Sequence, residues 1–263
     1  MKEEYSRNRK QFDQWKGSRL RCILLSGLER NSLNQILLDL ICANKFNITV
    51  ELVDDYICYP NGFKEFDEVR LGQTNKLLSP SIRKSLNFWW LGKHYNTSRE
   101  KDTPNWDIAC EAKISGADGL ILVEAKAHKN EMQNNGSGAD PLGSLVHIKE
   151  ALKEANYWLN DQVSGFNLSH KEHYQISNRF AWSWKLASLG IPVILIYLGF
   201  LNTYEMRSKQ IFHNHFDWVN CIKEYSKTTI PWDVWEKPIN AGKHSFYPII
   251  RSIEIQPTGL IVW

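Results

Sequence analysis

Leu120-Ile121-Leu122-Val123-Glu124-Ala125-Lys126 decides the reading of this 263-residue chain. Four large apolar residues run into an acid and a lysine two positions apart. Side chains alternate along a strand, so Glu124 and Lys126 point the same way. Upstream, Asp107 opens a second apolar segment, Trp106-Asp107-Ile108-Ala109-Cys110. Between the two lies Ser115-Gly116-Ala117-Asp118-Gly119, a cluster of turn residues of the kind that joins antiparallel strands. A two-residue turn closed by Gly116 and Gly119 sets Glu111 opposite Glu124, Ala109 opposite Lys126 and Asp107 opposite His128. A four-residue loop keeps that register. Asp107, Glu111, Glu124, Lys126 and His128 then share one face, while Ile108, Cys110, Val123, Ala125 and Ala127 face a core. A loop with an odd number of residues would turn Asp107 to the other side.

These residue types suit phosphodiester hydrolysis. Two carboxylates are hard oxygen ligands for Mg²⁺ (or Mn²⁺), which keeps waters and takes substrate phosphate oxygens. Such a metal lowers the pKa of its bound water and clamps the phosphate. Asp107 and Glu124 are the expected ligands, with the Ala125 carbonyl as a third. Lys126, a compact charge, would orient the water or stabilise developing negative charge. Glu-Ala-Lys also occurs at 111–113, but that copy lacks both the preceding apolar run and an acid on an earlier strand. Glu111 is therefore read as a solvated or paired strand acid, with an accessory ligand role as the alternative.

Pro104-Asn105-Trp106-Asp107 followed by Val123-Glu124-Ala125-Lys126 resembles the PD-(D/E)XK nuclease superfamily, over about residues 79–202. The resemblance implies a restriction-endonuclease-like core. This is an α/β/α sandwich with a central mixed sheet, built as helix, strand meander, helix and further strand. It implies a metal-dependent DNA endonuclease in which Asp107, Glu124 and Lys126 are catalytic. Two residues separate the proline from the aspartate, as is common in the superfamily. Many members carry a Glu on the helix before the meander; residues 81–90 hold no acid, which argues against a second metal site. Gln175 is the counterpart of a Gln that some branches carry on the later helix, and Arg179, one turn on, would meet a phosphate. The rival readings are a nuclease fold that has lost catalysis and binds nucleic acid or protein, and an unrelated α/β protein whose Glu-x-Lys ends a strand in solvent.

The rest of the chain is read around this core. Hydrophobic residues make up 43% of it, enough for one large or two small domains, and the net charge of +3 neither requires nor excludes nucleic acid. Residues 1–78 form an N-terminal α/β region or an elaboration, with strands at 21–28 and 47–59 and a helix at 32–43. Residues 79–263 form the nuclease domain with a C-terminal extension. Helices are expected at 141–160, started by Asp140-Pro141 or Ser144, at 175–189 and at 209–225. Buried strands are expected at 191–200 and 247–255. The polar stretch 129–139 is a loop. Lys2, Arg7, Arg9, Lys10, Lys16, Arg19 and Arg21, interleaved with Tyr5, Phe12 and Trp15, make a basic terminus able to meet phosphates, with an ordinary solvent-exposed terminus as the alternative.

Of the 11 tryptophans, Trp89, Trp158 and Trp184 fall on apolar stripes, and Trp232 and Trp235 are the expected exposed pair. Five scattered cysteines argue for a reducing cytoplasm and against disulfides or a zinc knuckle. His170, His173 and the His213-Asn214-His215 run lack the acid partners of a zinc site. The run 191–200 is too short to span a bilayer, so no membrane partner is expected. The sequence leaves RNA as substrate, the pathway and a homodimer open.

Overall fold

The computed structural model describes residues 16–93, 95, 97–132, 136–139 and 143–257. The basic terminus up to Trp15 and the Asp140-Pro141 helix start lie outside them. The fold grows from the hairpin. Strand β5 (Ile108–Ile114) pairs antiparallel with β6 (Ala117–Lys126) around a two-residue turn, Ser115-Gly116. Both turn residues have positive φ (49° and 80°), as the hairpin turns that match strand twist require. This corrects the expected register. Glu111 faces Leu120 and Ala109 faces Leu122, each four positions from the partner expected. Gly119 does not turn the chain but lies within β6. A Cβ there would come within 2.7 Å of both the Ile114 side chain and the Pro192 carbonyl, so the glycine permits a close approach. Because the shift is even, every side chain stays on its expected face.

Among the described residues, seven strands make the main sheet. Short strands β1 (Val50–Glu51) and β2 (Cys58–Tyr59) both pair antiparallel with β5. Beyond β6 come β7 (Val193–Phe200) and β9 (Ser245–Ile253), parallel to it in turn, and β8 (Ile239–Asn240), antiparallel to β9. A separate ribbon joins β3 (Val69–Arg70) to β4 (Asn105–Trp106). The sheet is thus mixed, and β7 is buried along its whole length, as its unbroken apolar run requires.

Helices cover both faces. On one side α1 (Gly17–Ser26) and α2 (Arg30–Ile41) pack Cys22, Leu25, Leu33, Leu37 and Ile41 against Ile108, Cys110, Val123, Ala125 and Ala127. On the other, α3 (Pro80–Leu91), α4 (Ser144–Gln162), α5 (Tyr174–Ser188) and α6 (His215–Ser226) enclose Ala109, Leu120, Leu122, Leu195 and Tyr197. Region 1–78, as far as it is described, therefore supplies one layer of this sandwich. The strand expected at 21–28 is helix α1: a short apolar run does not tell helix from strand. Arg21 is fully buried there, donating to Glu205 (2.9 Å from one guanidinium nitrogen) and to the carbonyls of Ile255 (3.0 Å) and Gly17 (3.2 Å).

Other expectations are corrected locally. Helix α6 starts later than residue 209, because Ile211 and Phe212 form bridges to His128 and Leu201, and Phe216 is exposed. Trp158 is 49% exposed, whereas Trp235 is buried against Phe180 and Tyr197. Cys58 and Cys110 sit directly opposite each other in the β2–β5 ladder and are joined as a disulfide. Their sequence separation of 52 gave no sign of this pair, because sheet register brought them together. No helix among the described residues is long and apolar enough to cross a membrane.

Gly199 marks where α6 crosses the sheet. A Cβ there would lie 2.5 Å from the ring of Trp218, whose indole N–H donates to the Tyr197 carbonyl at 3.2 Å. Gly199→Ala is expected to cost about 1–3 kcal/mol. That lowers the melting temperature by roughly 2–12 °C, which thermal denaturation would read.

Candidate active site

The site lies at the carboxyl end of β6, beside the first turns of α5. Glu124 and Lys126 leave the same face of β6, and both are buried. The Lys126 ammonium donates to Glu124 Oε1. Arg179, from α5, donates through Nε to Glu124 Oε2 at 2.6 Å, so both carboxylate oxygens meet a cation. The guanidinium also donates to Asn178 Oδ1 at 2.6 Å and to the Asn105 carbonyl at 2.5 Å, and lies over the Trp106 ring with its carbon 4.6 Å from the centroid. Each guanidinium nitrogen makes one such bond, which among the described residues leaves two of the five N–H groups over.

Asp107 arrives from a break in the backbone. Asn105 and Trp106 pair with β3, whereas Ile108 pairs with β6, so the chain changes ladder at Asp107. Its side chain fills the gap: Oδ2 accepts the Ala125 N–H at 2.7 Å. Carried one residue beyond Ile108↔Val123, the hairpin register sets Asp107 opposite Glu124, not opposite His128 as expected. The three residues expected to be catalytic are thus brought together. Ala125, the expected backbone ligand, stands between Glu124 and Lys126 with its N–H held by Asp107.

The same register argument finds an acid that the sequence reading missed. Val69 faces Trp106 in the β3–β4 ribbon, so one residue on, Glu68 stands opposite Asp107. Its carboxylate accepts from the Asn105 side-chain amide. Helix α3 carries no acid, as read, and Glu68 approaches the centre from the ribbon instead. Nothing in Asp67-Glu68-Val69-Arg70 marks it, since the pairing that places it is long-range. Tyr197 was missed too. It faces Glu124 across β6–β7, and its buried hydroxyl has no hydrogen-bond partner among the described residues. A tyrosine within so apolar a run was the available signal.

Electrostatics divides the acids into two kinds. Burial opposes ionisation of Glu124, but Arg179 and Lys126 more than offset it and hold its pKa below the usual carboxylate value. Burial likewise opposes the charge on Lys126, and Glu124 and Asp107 outweigh it, so the ammonium is held protonated. Asp107 is pushed the other way. Burial, then the negative charge of Glu124, raises its pKa well above the usual range, only partly countered by Lys126. Glu68 is raised for the same reasons, burial first, with Arg19 opposing and Glu124 adding to it. Asp107 and Glu124 face Lys126 and Arg179, and Glu68 faces Arg19, so the three carboxylates meet three cations of the chain.

The desolvated carboxylate oxygens of Asp107 and Glu68 are hard donors of the kind a divalent cation takes. Among the described residues, however, no three His, Cys, Asp or Glu side chains already converge on a metal-binding geometry. Glu124 faces cations of the chain's own instead.

The accessory residues part ways. Glu111 lies four residues further along β5, about 13 Å from Asp107 at strand rise. Its carboxylate accepts the Ile57 N–H at 2.9 Å, so it serves the β2–β5 edge and not the centre. Gln175 lies beside Arg179 on the wall of an adjoining cleft of ≈ 430 Å³, which Arg70, Lys101, Tyr174 and Asn178 also line. Buried His128, two residues past Lys126, has Nε2 3.6 Å from Glu131. Compared with family models, with curated proteins and with solved structures, the chain matches none.

Proposed function

We propose that this protein is a metal-dependent nuclease of the PD-(D/E)XK type, with a restriction-endonuclease-like core, hydrolysing phosphodiester bonds of DNA. The observation that carries this reading is the meeting of Asp107, Glu124 and Lys126 in one buried cluster, although Asp107 comes from the bend between β4 and β5. The order of elements agrees: helix α3, the hairpin bearing the acids and the lysine, helices α4 and α5, then β7 beside β6. Asp107 and Glu124 would hold Mg²⁺ or Mn²⁺, with the Ala125 carbonyl, and Glu68 stands near as a further acid. The ion, when bound, supplies an acidified water and a clamp on the phosphate. Lys126, kept protonated between two acids, orients the attacking water and stabilises charge at phosphorus. Arg179 presents its guanidinium between this centre and the cleft, where a substrate phosphate would lie.

A second reading is a nuclease fold without catalysis that binds nucleic acid or a protein. It is favoured by one observation: Lys126 and Arg179 already occupy both oxygens of Glu124. Cleavage of supercoiled plasmid with Mg²⁺ or Mn²⁺ separates the two. The nuclease reading expects metal-dependent nicking that falls about 100- to 1000-fold in Lys126→Ala. No nicking by the wild type, together with no Mn²⁺ binding, would favour the binding module.

A further inference from the structure

The cleft beside Arg179 is not used by the carboxylate–lysine cluster itself. We infer that it seats a single, unpaired nucleic-acid strand, about one nucleotide deep, next to the scissile phosphate. This rests on the nuclease reading and adds the strandedness of its substrate.

Size comes first. The cleft holds ≈ 430 Å³, within the range of sites that enclose one small ligand. One nucleotide fits such a space, whereas a duplex, with two backbones and the stacked base pairs between them, is too bulky to enter it. Residues 104–105, the glycine-bearing segment 136–139 and the first turns of α5 line the cleft.

Charge comes second. Arg70 and Lys101 line the cleft and form no ion pair among the described residues. Arg70 is held in place through the Thr103 carbonyl, at 2.5 Å, while Lys101 is exposed. The lining also holds two acids, Asp102 and Glu131, so with Arg179 it sets three cations against two carboxylates. Asp102 accepts from the Ser144 hydroxyl at 3.3 Å, and Glu131 from the Ala127 N–H at 2.5 Å. The amino end of α5 adds partial positive charge at the same place.

The remaining surface suits a sugar and a base. Tyr174 is stacked on Trp90, ring centroids 6.5 Å apart and planes 24° apart, which makes it a rigid aromatic wall. Gln175 and Asn178 bring side-chain amides beside it. Arg179 joins cleft to centre, since one guanidinium bonds Asn178 and Asn105 on the cleft wall and Glu124 beyond it. A strand held here places its neighbouring phosphate within one guanidinium of Glu124.

The test is binding in EDTA, where cleavage plays no part. Fluorescence anisotropy would compare a labelled single strand with its own duplex, over a salt series, for wild type, Lys101→Gln and Tyr174→Ala. The single strand is expected to bind at least about 10-fold more tightly than the duplex. Lys101→Gln should weaken it several-fold and reduce the salt slope by about 0.7, the loss of one phosphate contact on a single strand. Tyr174→Ala should weaken it with the slope unchanged. Equal binding of duplex and single strand, or unaltered affinity in both variants, would overturn the subsite. Metal-dependent nicking would then still stand for the nuclease reading. Binding to neither, with no metal-dependent cleavage of plasmid or of the single strand, would overturn both.

Discussion

Asp107→Asn is expected to abolish metal-dependent cleavage, by about 1000-fold or more, while leaving the protein at least as stable as wild type. The amide keeps the shape of the carboxylate and an oxygen to accept the Ala125 N–H, now held at 2.7 Å. It loses the negative charge that a divalent ion needs, and a bound ion contributes several kcal/mol to the charge stabilisation of the transition state. Stability moves the other way, because the ionised form of Asp107 is disfavoured by burial and by Glu124. A group whose folded pKa is raised destabilises the fold increasingly as pH climbs from the unfolded value, near 4, to the folded one. Asn removes that slope. Plasmid nicking and melting curves at several pH values would check both halves. Undiminished cleavage by Asp107→Asn would refute the assignment, and a loss of stability at neutral pH would refute the electrostatic account of the site.

What was legible in the sequence divides along the range of the interactions. The face of each residue in the hairpin follows from alternation, so Asp107, Glu124 and Lys126 fell on one side even though the turn sits at Ser115-Gly116 and every pairing is shifted by four. The buried run of β7 and the amphipathic helices α4 and α5 were equally readable from periodicity. Glu68 was not, because its position opposite Asp107 depends on pairing between segments far apart in the chain. Nor was the Cys58–Cys110 pair, for the same reason. Helix α1 was read as a strand because a short apolar run fits either element, and the burial of Arg21 on Glu205, which ties it to the rest of the fold, is a long-range contact. Arg179 was placed correctly one turn from Gln175. Its bond to Glu124, which ties helix to sheet, needed the tertiary structure.

Glu124→Ala is expected to damage fold and site together, and so to contrast with Asp107→Asn. Glu124 is 1% exposed and lies between Lys126 and Arg179, themselves buried. Removing the shared anion leaves two desolvated cations without their partner, and breaking a buried ion pair costs about 3–5 kcal/mol. For a chain of this size that is a fall in melting temperature of roughly 6–20 °C. The pH dependence has a definite sign. A depressed folded pKa contributes stability that is present above the unfolded carboxylate value and lost as pH falls through the folded one. The gap between wild type and Glu124→Ala should therefore be widest near neutrality and close in acid. Adding Lys126→Met and Arg179→Met to Glu124→Ala should recover much of the loss, because apolar side chains of similar volume replace buried ion pairs with little penalty or with gain. Recovery of stability without recovery of cleavage would separate the structural use of this triad from its chemistry. A Glu124→Ala protein that melts with the wild type at pH 7 would mean instead that Lys126 and Arg179 find water or other acceptors, and that the buried triad does not hold helix α5 against the sheet.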